Sequence, residues 1–279
     1  MITFEPNPLR PLDEGMAMAK DWLQSRKIPN QYAVVEKVMS NIDRTRLAAL
    51  IAIHEPRRDL IGGWKYLDLP YWLARCARNA SVLGLEKFKG GNVLDIGSGG
   101  CHWLAICKAH GFRATGLEIK LPNAISNVDP AFRPQESSVS SLQIYDELEI
   151  MLKTRRFYQW LMPKAKMRTF NRKFNIVTSY LACFHRIRRD KNHGLLPLDR
   201  QTHFSNQDWA FFLNDLVDRH LNFPAIIHLE LNADLVSESG KRMHDPALLE
   251  WFTAQGATIG RGGFRGAITF ELPEPRRFR

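Results

Sequence analysis

The chain has 279 residues, enough for one large domain or one domain with an appendage at ~100–200 residues per domain. Apolar residues make up 44% and charged residues 24%, so a full core can form, and wholesale disorder, collagen and disulfide scaffolds are excluded. Lys and Arg number 39 against 29 acids, a net charge of +10, which favours anionic partners and says nothing about fold.

No apolar run reaches the ~18–20 residues of a membrane helix. The longest, Leu47–Ile53, is bounded by Arg46 and His54. Met1–Pro6 shows no basic segment leading into an apolar one, so a cytoplasmic protein is expected. Cys76, Cys101, Cys107 and Cys183 form no CxxC pair, which fits a reducing compartment. Cys101, His102, Cys107 and His110 resemble a metal cluster, but on one helix only Cys107 and His110 are well-placed neighbours, and no metal site is expected.

In chain order, helical spacing predicts helices over Asp13–Lys27, Ala33–Ile53 and Pro70–Leu85. From residue 92 strands and helices alternate. Asn92–Ile96 reads as a strand that ends at glycines, His102–His110 as a helix, and Arg113–Glu118 as a second strand. After a loop from Pro122 to about Ser140, the spacing of Ile144, Leu148, Met151 and Leu152 marks a helix. Phe157–Met162 and Phe174–Leu181 read as the third and fourth strands. Ser205 and Asp208 form a capping-box start to an amphipathic helix running through Trp209, Phe212, Leu216 and Leu221. Ala225–Leu231 is a fifth strand. Asp245-Pro246 opens a last helix that Gly256 stops. Ala257–Ile259 and Ala267–Leu272 close as an antiparallel pair. Strands separated by helices imply a mostly parallel sheet, whose ligand sits beyond the carboxyl ends of the strands.

The first of those ends reads Val93-Leu94-Asp95-Ile96-Gly97-Ser98-Gly99-Gly100-Cys101. Glycine lets the backbone turn sharply and approach a ligand, and the following helix offers free N–H groups. Glu118, nineteen positions after Gly99, ends the second strand, where a carboxylate can accept both hydroxyls of a ribose. A dinucleotide loop needs a third glycine at position 102. That residue is His102, which disfavours a nicotinamide-dependent oxidoreductase. Asp95, two residues before the first glycine, suits an ammonium group better than a pyrophosphate.

On these residues the chain resembles the class I S-adenosylmethionine-dependent methyltransferases. Asp95, Gly97 and Gly99 match their D/E-x-G-x-G-x-G motif, with Cys101 at the last glycine position. Gly116-Leu117-Glu118 matches their ribose-binding acid. Phe174-Asn175-Ile176-Val177 looks like their fourth-strand F-D-I-V motif, with Asn175 for Asp. The resemblance covers residues 90–272 and implies a Rossmann-like fold: a mostly parallel seven-stranded sheet with an antiparallel last strand. Residues 1–88, which the resemblance does not cover, are expected to form a helical N-terminal extension that by its position can act as a lid, and residues 89–279 a cofactor-binding methyltransferase domain. The resemblance implies S-adenosylmethionine as cofactor. Asp95 would face the methionine amine, and Gly97, Ser98 and Gly99 would let the backbone approach. Glu118 would hold the ribose, Ile119 and Met162 would flank the adenine, and Tyr180 would lie near the methyl donor.

For the acceptor, no Asn/Asp-Pro-Pro-Tyr/Phe tetrapeptide follows the fourth strand. His185 is the candidate general base, with an ordinary pKa of ~6.5; its other reading is a solvated loop histidine. Cys183 lacks the Pro-Cys context of cytosine methylation and reads as packing. Glu230 and Asn232 end the fifth strand and can touch substrate or satisfy loop backbone. Between Ile150 and Arg189 there are eleven Lys and Arg and no Asp or Glu. The expected acceptor is a hydroxyl on a small metabolite or sugar, a phosphate-bearing one if the basic stretch serves the site. The first alternative is an RNA methyltransferase using the basic 150–189 face, not favoured because no RNA-binding module precedes the domain. The second is a non-catalytic cofactor-binding protein. The sequence does not define an oligomeric state.

Overall fold

A computed structural model of the protein describes residues 3–61, 63–88, 90–118, 136–159, 161, 164–182, 185–187, 189–190, 194–195, 202–231, 235–236, 242–260 and 267–279. Seven strands form one sheet: β1 (Gly91–Ile96), β2 (Phe112–Glu118), β3 (Arg156–Tyr158), β4 (Phe174–Ala182), β5 (Leu221–Leu231), β6 (Thr258–Gly260) and β7 (Ala267–Leu272). Their spatial order is β6-β7-β5-β4-β1-β2-β3. β4 pairs in parallel with β1 and with β5, whereas β7 runs antiparallel to both β5 and β6. This mixed, mostly parallel sheet with one reversed strand is the Rossmann-like class I methyltransferase fold. The chain leaves β1 toward β2 and β3, then returns to β1's other side at β4. That switch point is where open sheets of this kind bind ligands.

The helices are α1 (Leu12–Ser25), α2 (Gln31–Met39), α3 (Arg44–His54), α4 (Leu69–Val82), α5 (His102–Ala109), α6 (Glu136–Met151), α7 (Asn206–Asp215) and α8 (Pro246–Ala254). Packing divides the chain into two compact units. The first comprises Met1–Gly91, Ser98–Gly116 and the stretch ending at Arg156. The second holds Asn92–Gly97, Leu117 and Glu118, and the chain from Phe157 onward. In the first, α4 packs on α1, α2 and α5, burying Leu23, Leu73, Ala74, Ala77 and Leu104 completely. The helices of residues 1–88 therefore share a core with the helix that follows the glycine loop. In the second, Leu94, Val177, Ile227, Phe174, Trp209, Phe252 and Phe270 form the core. Apolar β-branched and aromatic residues on central strands bury both faces, as parallel pairing requires.

Several element boundaries differ from the sequence reading for local reasons. The helix expected over Ala33–Ile53 is two helices. Ser40 Oγ and Asn41 Nδ2 donate to the Lys37 carbonyl at 3.0 and 2.8 Å, closing α2. Asp43 then accepts from Arg46 N–H at 2.9 Å and caps α3. Such short polar side chains compete with helical bonding and favour ends over interiors. The helix opened by Ser205 has its capping box, with the Asp208 carboxylate accepting from Ser205 N–H at 2.9 Å. It ends in one π-helical turn, Leu216–His220, and Leu221 starts β5 rather than closing the helix. The third strand, expected over Phe157–Met162, spans Arg156–Tyr158. Gln159 beyond it turns to loop contacts, its carboxamide bonding Lys166 O and Arg168 N–H. The loop expected to about Ser140 gives way to α6 at Glu136. No helix among the described residues is long and apolar enough to cross a membrane.

Candidate functional site

Asp95 is the penultimate residue of β1 and only 2% exposed. Parallel register sets it opposite Thr178 of β4, and equivalent positions on paired strands point to the same face. The Thr178 hydroxyl donates to Asp95 Oδ1 at 2.7 Å. This is the one hydrogen bond of the Asp95 side chain among the described residues. Burial pushes its carboxyl up, the Thr178 bond opposes that, and the nearby Glu118 carboxylate adds to it, leaving a pKa of about 8. Glu118 ends β2 in the same unit, half-buried. Its carbonyl accepts from Gln159 N–H at 3.0 Å, and Leu117 O accepts from Gly97 N–H at 2.8 Å. The carboxyl ends of β1 and β2 thus carry two electrostatically coupled acids, with no cation among the described residues to neutralise Asp95. A cation placed there would relieve the repulsion, and a pyrophosphate would aggravate it.

The loop after β1 keeps its left-handed turns at alternate residues: Gly97 has φ 75°, Gly99 φ 46° and Cys101 φ 64°. Cys101 stands where the methyltransferase motif has its last glycine and adopts the glycine-like conformation regardless. A side chain there costs roughly 1–2 kcal/mol of backbone strain. A Cβ on Gly99 would meet nothing within 4 Å, so the backbone lies open at that point. Gly100 is needed for packing instead, since a Cβ there would lie 2.6 Å from the His102 ring. His102, which breaks the dinucleotide pattern, is buried, with Nε2 2.9 Å from Tyr66 O. Burial lowers its pKa to about 4, against the Tyr66 contact that raises it.

Sequence reasoning missed the arginine that ties this loop down. Arg156 was counted with the basic stretch, but its side chain is fully buried. Its Nη2 and Nε bond Asp146 and Glu149 at 2.7 and 2.9 Å. Its Nη1 donates to Gly99 O at 3.0 Å. It is an internal clamp and leaves nothing for phosphate. Two other residues of the stretch are also placed by the described contacts. Arg168 lies over the rings of Phe157 and Phe170, at 4.3 and 5.8 Å. Lys173 precedes β4 at its amino end, where its carbonyl accepts from the Asn92 side chain.

Other expected residues fall as follows. Tyr180, on β4, sits opposite Glu230 of β5, its ring 5.7 Å from that of His228. His228, unflagged by the sequence reading, is 3% exposed and its Nδ1 lies 2.9 Å from Thr269 Oγ1. Burial lowers its pKa to about 4. Only strand register could have found it, because it lies level with Thr178 across β4 and β5. Ser98 Oγ and Ser179 Oγ are buried without a hydrogen-bond partner among the described residues. His185 is in a two-stranded ribbon, opposite His203, rather than in a loop. Ile119, Met162, Cys183 and Asn232 lie outside the described residues. Asn175 explains itself at the amino ends of β1, β4 and β5. It accepts from Asn92 N–H at 3.3 Å and donates to Asn222 O at 3.2 Å. Aspartate could make only the first of these bonds.

No family model and no curated protein matches the chain. Solved structures with similar folds include DesVI of Streptomyces venezuelae, 14% identical over 83% of this chain and 99% of that one, with a TM-score of 0.42. A ribosomal protein L11 methylase of Lactobacillus delbrueckii is 14% identical over 70% and 78% of the two chains, TM-score 0.37. YjhP of E. coli is 15% identical over 66% of this chain and 64% of that one, TM-score 0.35. The fold assignment rests on the strand order and orientation given above.

Proposed function

We propose that the protein is an S-adenosylmethionine-dependent methyltransferase. The observation that carries this reading is the pair of coupled acids, Asp95 and Glu118, at the carboxyl ends of β1 and β2, beside the switch point of the sheet. The donor set fits the cofactor's charge: Asp95 takes the α-ammonium group and Glu118 the ribose hydroxyls. The open backbone at Gly97, Ser98 and Gly99 fits close approach of a ligand, and Ile119 and Met162 are assigned to the adenine by the sequence motif. The cofactor supplies an electrophilic methyl group on a sulfonium. The chain supplies orientation, and Tyr180, His228 and Glu230, together on β4 and β5, supply polar groups for the acceptor. The acceptor we favour is a hydroxyl on a small metabolite or sugar, its proton taken by His185. The net charge of +10 favours an anionic one. The buried Arg156 and the stacked Arg168 give no support to a continuous RNA-binding face.

Calorimetric titration of wild type and Asp95→Ala with S-adenosylmethionine, S-adenosylhomocysteine and NAD tests this reading. Binding of the first two by wild type, lost in the variant, is expected. Binding of NAD alone, or of none, contradicts it.

A further inference from the structure

We infer that Thr178 is the positioning residue of this site: its hydroxyl pins one oxygen of Asp95 and leaves the other for a ligand's ammonium group. The pocket thereby selects ligands that carry an aminoacyl group over the bare nucleoside. This rests on the cofactor reading and assigns to Thr178 a role that the glycine-loop motif does not contain.

The geometry is specific. Asp95, Thr178, His228 and Thr269 occupy one level across β1, β4, β5 and β7, paired Asp95 to Thr178, Thr178 to His228 and His228 to Thr269. Thr178 is wholly buried, so its hydroxyl has no water to turn to. A hydroxyl has one proton to donate, and here it goes to Asp95 Oδ1 at 2.7 Å. The imidazole on the other side is engaged with Thr269 at 2.9 Å. A carboxylate has about four acceptor positions on two oxygens, so one bond at Oδ1 fixes the group without saturating it. Valine fills nearly the same volume as threonine and cannot donate. It would leave Asp95 free to turn about its terminal torsion, which is broad and twofold. The loss would then fall on the ammonium contact alone. The nucleoside part of a ligand, assigned to Glu118, would keep its contact.

The test is titration of the full chain with S-adenosylhomocysteine and with 5′-methylthioadenosine, which lacks the aminoacyl group. Wild type, Thr178→Val and Thr178→Ser are compared. The valine variant is expected to bind S-adenosylhomocysteine ~10–100-fold more weakly, the range for a lost hydrogen bond to a charged group. Its affinity for 5′-methylthioadenosine should be unchanged, and the serine variant should recover wild-type behaviour. Unchanged S-adenosylhomocysteine affinity in the valine variant overturns the inference. So does an equal loss for both ligands, which marks a structural role. If the valine variant fails to fold, Thr178→Ala carries the same comparison. Wild type that binds neither ligand overturns the cofactor reading and this inference together. Binding of both by wild type with no selective loss in the variants overturns the inference alone.

Discussion

Two aspartates of the second unit are both nearly inaccessible, Asp95 at 2% and Asp215 at 7% exposure, yet they are shifted in opposite directions. At Asp215 burial pushes the carboxyl up, and its partners outweigh burial to hold it below the usual range. Arg219 bonds both its oxygens, at 2.6 and 3.0 Å, and Met167 N–H donates to Oδ2 at 2.9 Å. The guanidinium also reaches the Met167 carbonyl. Asp215 thus anchors the crossover between β3 and β4 to the end of α7. At Asp95 burial dominates, one hydroxyl opposes it, and a second carboxylate adds to it. A buried acid whose partners match it is part of the frame. A buried acid left short of partners at a strand's carboxyl end costs stability, and it is the residue to which the proposed function assigns the ligand's charge.

The largest expected loss of stability comes from breaking the satisfied acid. Asp215→Ala strips Arg219 of its carboxylate and orphans the Met167 N–H, and should cost about 3 kcal/mol in urea denaturation. Affinity for S-adenosylhomocysteine in the remaining folded protein should be unchanged. Wild-type stability in this variant would place the anchor elsewhere.

Neutralising Asp95 should do the reverse. The folded pKa of Asp95, about 8, lies above the ~3.9 of an unfolded aspartate. Between those values the folded state holds a proton that the unfolded state has released. Its contribution to stability therefore falls as pH rises from ~4 toward 8 and is fully lost above that window. Asp95→Asn removes the slope. It should raise stability at pH 7 by an amount on the order of 4 kcal/mol, with a smaller gain at pH 5, while cofactor binding is lost. Thermal melts across that range check it, and a variant less stable than wild type at pH 7 would contradict it.

The smallest effect concerns the amino ends of the same strands. Asn175→Asp installs the residue the motif would have, loses the donor to Asn222 O and should cost about 1 kcal/mol. Chemical denaturation with equal affinity for S-adenosylhomocysteine is the expected outcome. A change in affinity would mean that this position reaches the site.

The contrast between the two aspartates also marks what a sequence can disclose. The places of Asp95, Gly97, Gly99 and Glu118 at strand ends were legible because the signal is local: a short strand runs into left-handed turns, and an acid follows at a fixed distance. The positions of most strands were legible from apolar runs alternating with capped helices, and the mostly parallel sheet with a reversed last strand came from the resemblance; the spatial order of the strands came only from the structure. Thr178 and His228 were not legible, because their partners stand 83 and 41 residues away and only register brings them level. Arg156 was misread because a charge count cannot distinguish a solvated arginine from one enclosed by Asp146 and Glu149. Cys101 concealed a left-handed turn behind a residue that rarely adopts one. The break between α2 and α3 was written in Ser40, Asn41 and Asp43, and the apolar spacing on either side masked it.

The most direct test of the central claim is the proton balance of binding. S-adenosylhomocysteine is titrated calorimetrically at pH 7 into wild type in two buffers of different ionisation enthalpy. If Asp95 is neutral until an ammonium group reaches it, about one proton should leave per ligand bound. Binding with no proton released would show that Asp95 does not receive the ligand's charge.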